Sequence, residues 1–172
     1  ASLATRYLLE RGHRNIAYVG GAENDRIRQQ RLLGFGSALR QYGIATRATL
    51  TPACAESTQA ASQITRQLLE SNNTITALLC HSPNAMVGSI NAIYQVGRTP
   101  GKDLFLTQQV ALLGFEDMLH INLTSPSFTY VSSASEEAGR QAAQLMLRKL
   151  NEPDLAPQRI ILSGQLVVRE SA

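Results

Sequence analysis

Tryptophan is absent from this 172-residue chain, and five tyrosines and four phenylalanines carry its only large aromatic rings. So few aromatic side chains leave no surface on which several bases or sugar rings could stack. The longest apolar runs are about five residues, whereas a helix that crosses a bilayer needs about 20. The N-terminus has no pattern of a secretory signal peptide. These absences favour a globular domain without a membrane partner.

Cysteine is equally scarce. Cys54 and Cys80 lie far apart, form no Cys-x-x-Cys pair, and have no histidine at the spacing of metal ligands. Cys80 ends an apolar stretch, where a buried free thiol is common. The pattern does not require a disulfide. This usage predicts reduced thiols, no metal site and a cytoplasmic location.

Positive charge is in slight excess and unevenly placed. The net charge is +3, and the first 47 residues hold eight arginines against Glu10, Glu23 and Asp25. The arginines are spread over two predicted helices and a loop, and they form no single run. Nucleic-acid interfaces concentrate basic residues on one face or along one helix. Direct binding of DNA or RNA by these residues is therefore not predicted.

The common catalytic and nucleotide-binding motifs are also missing. The chain has no Gly-x-Ser-x-Gly, His-Glu-x-x-His, Walker A or Gly-x-Gly-x-x-Gly sequence. Glu116 and Asp117 form an acidic pair that could serve as general acid and base, as calcium ligands, as acceptors for ligand hydroxyls, or as ordinary loop carboxylates. No nucleophile with a neighbouring base emerges. The sequence favours a binding protein without a cofactor over an enzyme.

Hydrophobic periodicity predicts alternating strands and helices. Strands are predicted at 16–20, 48–51, 75–80, 110–114, 128–131, 159–162 and 165–168. Helices are predicted at 2–11, from about residue 29 to 42, at 56–70, 84–96 and 134–150, with at most a short one at 118–123. This alternation is typical of an α/β fold with a mostly parallel sheet flanked by helices, in three αβα layers.

Polar side chains follow three of these strands. Arg31 lies one turn into the helix after the first strand, His81 and Ser82 follow the strand 75–80, and Glu116 follows the strand 110–114. The carboxyl ends of parallel strands meet at one edge, where ligands bind in open sheets. A cation, an acid and short polar groups there suit a sugar or polyol. Arg31 could instead be a solvated helix residue, and His81 a surface residue.

Taken in order, these motifs resemble the effector-binding core of LacI/GalR-type transcription regulators and, more distantly, periplasmic sugar-binding proteins. The opening ATRYLLERGHRNIAYVGG is similar to a family signature, and Arg31 to Phe35 matches its Arg-x-x-Gly-aromatic motif. Gly114 to Asp117 stands where the family carries Gly-Tyr/Phe-Asp-Asp, and the chain ending LVVRES is typical of it. Gln108, Gln109 and the segment before them resemble the maltose-regulon branch. The resemblance implies a periplasmic-binding-protein-like subdomain.

The resemblance also implies a set of effector-binding residues. Arg31 would bind effector hydroxyls, Glu116 would accept hydrogen bonds from them, and Cys54 falls near an aromatic position that stacks on the ligand. In CHSPNAMVG, Ser82 replaces an effector-binding asparagine and Pro83 an aspartate, and Ser133 replaces a common glutamine near the hinge. Two neighbours of these positions, His81 and Phe115, are also predicted to bind the effector. The predicted effector-binding residues are Arg31, Glu116, Ser82, His81, Cys54 and Phe115.

The same resemblance implies a division of the chain. Residues 1–131 and 156–172 would form the C-terminal effector-binding subdomain, and the helix 134–150 would belong to an N-terminal subdomain that this sequence lacks. The apolar stripe of that helix, made of Ala138, Ala142, Leu145 and Met146, should then lack its usual partner and pack elsewhere, such as against a second copy. We expect a homodimer that binds operator DNA only through a missing helix-turn-helix segment.

Two other functions remain open at this stage. A periplasmic sugar receptor for transport would share the fold, and it would have a signal peptide upstream of Ala1. An enzyme would use Glu116 and Asp117, and its turnover would be lost in Glu116→Gln. The regulator hypothesis instead predicts that a ligand closes two subdomains about a hinge. This closure would change the spacing of the distant DNA-binding heads.

Overall fold

The computed structural model describes residues 1–116 and 126–172. The helices are α1 (Ser2–Glu10), α2 (Arg26–Gln41), α3 (Thr58–Ser71), α4 (Pro83–Gln95) and α5 (Ser135–Asn151). The strands are β1 (Ile16–Val19), β2 (Ala77–Cys80), β3 (Thr99–Pro100), β4 (Gln109–Phe115), β5 (Thr129–Ser132) and β6 (Gln165–Val167). The predicted short helix at 118–123 lies outside the described residues.

One six-stranded sheet joins these elements. Its strands follow the order β1-β2-β4-β5-β6, with β3 paired to β4 on the side. All pairs are parallel except β5 with β6, which is antiparallel. The register sets Val19 beside Cys80 and Leu79 beside Leu113, so β1, β2 and β4 end at the same edge. The predicted α/β fold with a mostly parallel sheet is confirmed.

Helices cover both faces of this sheet. Alternate residues of β1 point to opposite faces, as the pleat requires: Ile16 and Tyr18 pack against α1 and α2, and Ala17 and Val19 pack on the side of α3 and α4. Both faces are therefore apolar, which explains why β1, β2 and β4 are nearly continuous hydrophobic runs. The predicted three-layer αβα arrangement is confirmed.

Two predicted strands are wrong. Residues 48–50 form a short 3-10 helix, closed by hydrogen bonds from Leu50 N to Arg47 O and from Thr51 N to Ala48 O, and Leu50 is buried. Residues 159–162 form no strand, and Ile161 is 77% exposed. Both stretches contain β-branched residues, but a strand also needs a neighbour with free hydrogen-bonding groups. Within the described residues, β6 is the outermost strand beside β5.

Helix α5 stands apart from the two helical layers and buries none of its residues. Ala138 and Ala142 are exposed, Met146 is 63% exposed, and Leu145 is half-buried. Within the described residues of the single chain nothing buries this apolar stripe, and its packing against a second copy stays a prediction. The stripe is without the partner that its periodicity indicates.

A buried histidine lies at the opposite, amino-terminal edge of the sheet. His13 is 2% exposed and its Nδ1 lies 2.9 Å from Thr76 Oγ1. Burial, with smaller effects of Arg11 and Arg14, lowers the pKa of His13 to about 4. Its neutral form is the one that fits this position.

The lowered pKa predicts a loss of stability in mild acid. The unfolded chain takes up the proton near pH 6.5 and the folded chain only near pH 4, so the free energy of unfolding should fall by about 3 kcal/mol over that range. In His13→Asn, whose amide can still reach Thr76, urea unfolding at several pH values should show a flatter profile. A wild-type profile that is already flat over this range would contradict the prediction.

Candidate functional site

The loop after β1 is shaped by two glycines. Gly20 and Gly21 have φ of 98° and 77°, in the left-handed region that suits glycine. A Cβ on Gly20 would lie 2.9 Å from the Cβ of Ala85, so the end of β1 can approach the start of α4 only because this side chain is absent. The predicted site edge is therefore closely packed at its base.

Helix α2 begins at this loop. Asp25 is its N-cap, and Asp25 Oδ1 accepts a hydrogen bond of 2.8 Å from Ile27 N. Arg28, in the first turn, is 7% exposed and donates from Nε to Gly20 O at 3.1 Å and from a terminal nitrogen to Thr51 O at 2.6 Å. Arg28 thus ties the loop after β1 to the 3-10 helix. Its guanidinium is directed at carbonyls of the chain itself.

Arg31 lies on α2 at the same edge. Its guanidinium donates a hydrogen bond to the carbonyl oxygen of His81, and its Cζ lies 3.8 Å from the centre of the Phe115 ring. Arg31 therefore contacts two other predicted site residues, one directly after β2 and one at the end of β4. Arg31 is half-buried and held by two partners, so it is neither a solvated helix residue nor a loop cation.

His81 is a buried residue, which corrects the alternative that it lies on the surface. It is 5% exposed, with the Tyr18 hydroxyl 2.7 Å from Nδ1 and Asp25 Oδ2 3.0 Å from Nε2. Burial lowers the pKa of His81, and Arg31 lowers it further, while Asp25 and Glu56 act in the opposite direction. The histidine contributes a neutral ring to the base of the site.

Ser82 begins helix α4 as its N-cap. Its Oγ accepts a hydrogen bond of 3.2 Å from Ala85 N and donates one to a carboxylate oxygen of Glu56. Pro83 follows at the first helical position, where its missing N–H costs no hydrogen bond. Ser82 therefore caps α4, and its hydrogen bond also holds the Glu56 carboxylate at the edge of the sheet.

Cys54 is attached to the same loop through its backbone. Cys54 N donates to Gly21 O at 3.2 Å, and its side chain is half-buried. Burial raises the pKa of the Cys54 thiol, with Glu56 adding to the effect. Cys80 is fully buried, and burial raises its pKa to about 12. Both cysteines are free, and each keeps its proton at neutral pH.

Glu116 directly follows β4 and has an unusual backbone conformation. Its φ is 70°, and Glu116 N donates to Val131 O at 2.9 Å. A non-glycine residue in this region is strained by about 1 kcal/mol or more, and such strain is concentrated at functional sites. Within residues 1–116 and 126–172, the Glu116 carboxylate has no hydrogen bond or ion pair. Asp117, the second acid of the predicted pair, lies outside the described residues.

The assembled edge offers hydrogen-bond donors and acceptors around an aromatic ring. Arg31 is a planar donor above Phe115, and the carboxylates of Asp25, Glu56 and Glu116 are acceptors. Charged donors and acceptors make strong bonds to hydroxyl groups. In the part of the chain that the structure describes, no group of three or more His, Cys, Asp or Glu side chains could hold a metal ion.

Four residues of this edge were not predicted: Tyr18, Asp25, Arg28 and Glu56. One of them carried a usable signal in the sequence. Tyr18 is the only polar side chain in β1, and a buried tyrosine hydroxyl usually has a hydrogen-bond partner. Asp25, Arg28 and Glu56 lie in polar segments, where nothing in the pattern separates a structural side chain from a solvated one.

No helix within the described ranges has the length and apolar character needed to span a bilayer.

Comparison with known proteins matches residues 5–172 to the family described as a periplasmic binding protein-like domain. The chain is also similar to the maltose regulon regulatory protein MalI of Escherichia coli strain K12, with 27% identity over 170 residues. That match covers 97% of the chain and 50% of the relative.

Solved structures give the same result. A complex of the transcriptional regulator CelR with cellobiose has a TM-score of 0.84 and 26% identity, covering 98% of this chain and 50% of the other. A LacI family regulator from Enterococcus faecium with bound ribose has a TM-score of 0.85 and 25% identity, covering 99% and 61%. The chain spans about half the length of the curated relatives it matches. These relatives are regulators, and the resemblance found in the sequence is confirmed.

Proposed function

This chain belongs to the periplasmic binding protein-like domain family, and we propose on that premise that it is the effector-binding part of a transcriptional repressor. The effector would be a carbohydrate or a related polyol. The relatives support this choice, because similar regulators have been solved with cellobiose and with ribose. The site would bind its ligand without turnover.

The observation that carries the proposal is the contact of Arg31 with both Phe115 and His81. It joins α2, the residue that follows β2 and the last residue of β4 at one sheet edge. A guanidinium held by a ring and a carbonyl is pre-organised, so little entropy is lost when it binds a hydroxyl. The Phe115 ring is only 6% exposed, so it supports the guanidinium from the core side and Arg31 faces the ligand.

The six predicted residues would have different roles. Arg31 would donate to effector hydroxyls and Glu116 would accept from them, while the buried Phe115 would hold the Arg31 guanidinium in place. Ser82 would act together with the Glu56 carboxylate that it bonds. Cys54 would border the ligand from the loop after the 3-10 helix, and His81 would lie behind Arg31.

We also propose the division of the chain at the hinge. Residues 1–131 and 156–172 would form one subdomain, and α5 would pack against an N-terminal subdomain outside this sequence. The exposed Met146, Leu147 and Leu150 on α5 support this, because their exposed fractions are 63%, 61% and 70%. A helix with such an apolar surface needs a covering partner in water.

The intact protein would act as a cytoplasmic homodimer on operator DNA. The DNA contacts would come from a helix-turn-helix segment outside these 172 residues, since the arginines of the chain form no basic run. Effector binding would close the two subdomains and change the spacing of the DNA-binding heads. The chain alone should not shift a DNA fragment in a gel.

The proposal predicts sugar binding by the intact protein. Calorimetric titration with D-ribose, cellobiose and maltose should find at least one ligand, and Glu116→Gln should weaken it by about tenfold through the loss of a charged acceptor. Lys102→Gln, at an exposed lysine remote from β4's carboxyl end, should leave the affinity unchanged. Absence of binding to all three sugars would contradict the proposal.

The gene upstream of Ala1 distinguishes the regulator from a transport receptor. A helix-turn-helix sequence is expected there, followed by roughly one further domain. A secretory signal peptide in that position would instead favour a sugar receptor, with Arg31 and Glu116 still in the binding site.

A further inference from the structure

The imidazole of His81 uses both of its ring nitrogens. The Tyr18 hydroxyl lies 2.7 Å from Nδ1, and Asp25 Oδ2 lies 3.0 Å from Nε2. An ionised carboxylate can only accept a hydrogen bond, so Nε2 must carry the proton that faces Asp25. In the neutral ring Nδ1 is then an acceptor, and the tyrosine hydroxyl donates to it. The tautomer with its proton on Nε2 therefore gives Tyr18, His81 and Asp25 hydrogen bonds of the correct direction.

The surroundings favour the protonation states that this arrangement needs. Burial raises the pKa of Tyr18, which keeps its phenol proton available for donation. A hydrogen bond from Ile27 N is the main reason that the pKa of Asp25 is lowered, so its carboxyl is ionised. Burial and Arg31 lower the pKa of His81. At neutral pH the ring is uncharged.

Residue 81 holds helix α2 at two places. Its side chain bonds Asp25, the N-cap of α2, and its main-chain carbonyl accepts from Arg31 further along the helix. At the other end, Tyr18 belongs to a strand whose four residues are all buried. His81 therefore ties both the N-cap of α2 and Arg31 to the sheet, beside the bonds that Arg28 of the same helix makes to Gly20 O and Thr51 O.

We propose that Tyr18, His81 and Asp25 form a relay that positions Arg31 for the effector and that operates only while His81 is neutral. This inference rests on the proposed function and deepens it by naming how the site responds to pH. A protonated ring cannot accept from Tyr18, and it adds a second positive charge beside the Arg31 guanidinium. His81 is thus a positioning residue that acts through Arg31.

Four titratable or charged groups face the imidazole. Tyr18 comes from β1, Asp25 and Arg31 from α2, and Glu56 from the segment before α3. The two carboxylates favour the protonated ring, whereas Arg31 and burial oppose it and prevail. Effector affinity should therefore be full at neutral pH and should fall as the pH drops below the ordinary histidine range of about 6.5.

The test uses the intact protein and the sugar among D-ribose, cellobiose and maltose that binds it most tightly. Its affinity is measured by calorimetry between about pH 5 and pH 8. For wild type we expect an affinity that falls about tenfold toward the acid end. His81→Ala should bind about tenfold more weakly at neutral pH, with no further fall in acid. His81→Gln, whose amide can both donate and accept, should recover most of the affinity and have a flat profile.

Two further variants keep the test decisive. Tyr18→Phe removes only the hydroxyl and should weaken binding several-fold at neutral pH even if His81→Ala does not fold. His13→Asn changes a buried histidine at the opposite edge of the sheet, so it should alter the acid stability but not the affinity.

The outcomes separate this inference from the proposed function. Wild-type affinity and pH dependence in both His81→Ala and Tyr18→Phe would overturn the relay and leave the sugar-binding function standing. A pH dependence that persists in His81→Gln would overturn the neutral-ring requirement. If wild type binds none of the three sugars at neutral pH, the proposed function fails and the relay fails with it.

Discussion

Replacing Arg31 with alanine is expected to weaken effector binding by the intact protein roughly 100-fold, because charge-assisted hydrogen bonds to the ligand are lost. The fold should also lose about 1–2 kcal/mol, since the guanidinium bonds the His81 carbonyl and lies 3.8 Å from the Phe115 ring centre. A cation in a surface loop would contribute far less to stability. Calorimetric titration and urea unfolding measure the two effects separately.

Two variants calibrate this result. Arg31→Lys keeps the charge but not the planar group, so it should recover only part of the affinity. Arg40→Ala, at an exposed arginine in the last turn of the same helix, should leave the affinity unchanged and cost a few tenths of a kcal/mol. An unaltered titration for Arg31→Ala would remove Arg31 from the site.

Among the substitutions, the largest effect on stability is expected at Gly88, where α4 crosses α3. A Cβ at this position would lie 2.5 Å from Thr58 O and 2.7 Å from the Cβ of Ala61. Gly88→Ala should force the two helices apart and destabilise the chain by about 2–3 kcal/mol, although alanine is the better helix former. The midpoint of thermal unfolding should fall by roughly 5–10 °C.

Gly139 offers a matched control in the interior of another helix. A Cβ there would meet nothing within 4 Å, so Gly139→Ala should stabilise α5 by up to about 1 kcal/mol. The two variants make the same chemical change and differ only in their surroundings. Equal unfolding midpoints for them would show that α3 and α4 are not in close contact at Gly88.

Gly88 also illustrates what a resemblance leaves unexplained. The stretch CHSPNAMVG aligns with a family segment despite the departures at Ser82 and Pro83, but the alignment gives no reason for the glycine at position 88. The reason is the backbone of α3, whose Thr58 oxygen occupies the space of a side chain. Because this contact joins residues 30 positions apart in sequence, periodicity within either helix cannot reveal it.

Local sequence alone determined the alternating elements and the edge at which polar residues collect. The apolar runs of β1, β2 and β4 and the spacing of Phe35 and Leu39 on α2 depend on burial of their own side chains, which is visible in a short window. Arg31, Ser82 and Glu116 could be placed at one edge because parallel strands share a direction. The same short windows gave wrong strands at 48–51 and 159–162, because a strand forms only where a neighbouring strand is available for pairing.

Tertiary structure decided what each polar group does. The sequence could not show that His81 is buried, because that depends on Tyr18 and Asp25, which reach it from two other elements. Nor could it show that Arg31 lies on Phe115, a contact between α2 and the end of β4. Burial of the apolar residues of β1, β2 and β4 follows from their local pattern, whereas the burial of a charge or a histidine is decided by the partners that the fold supplies.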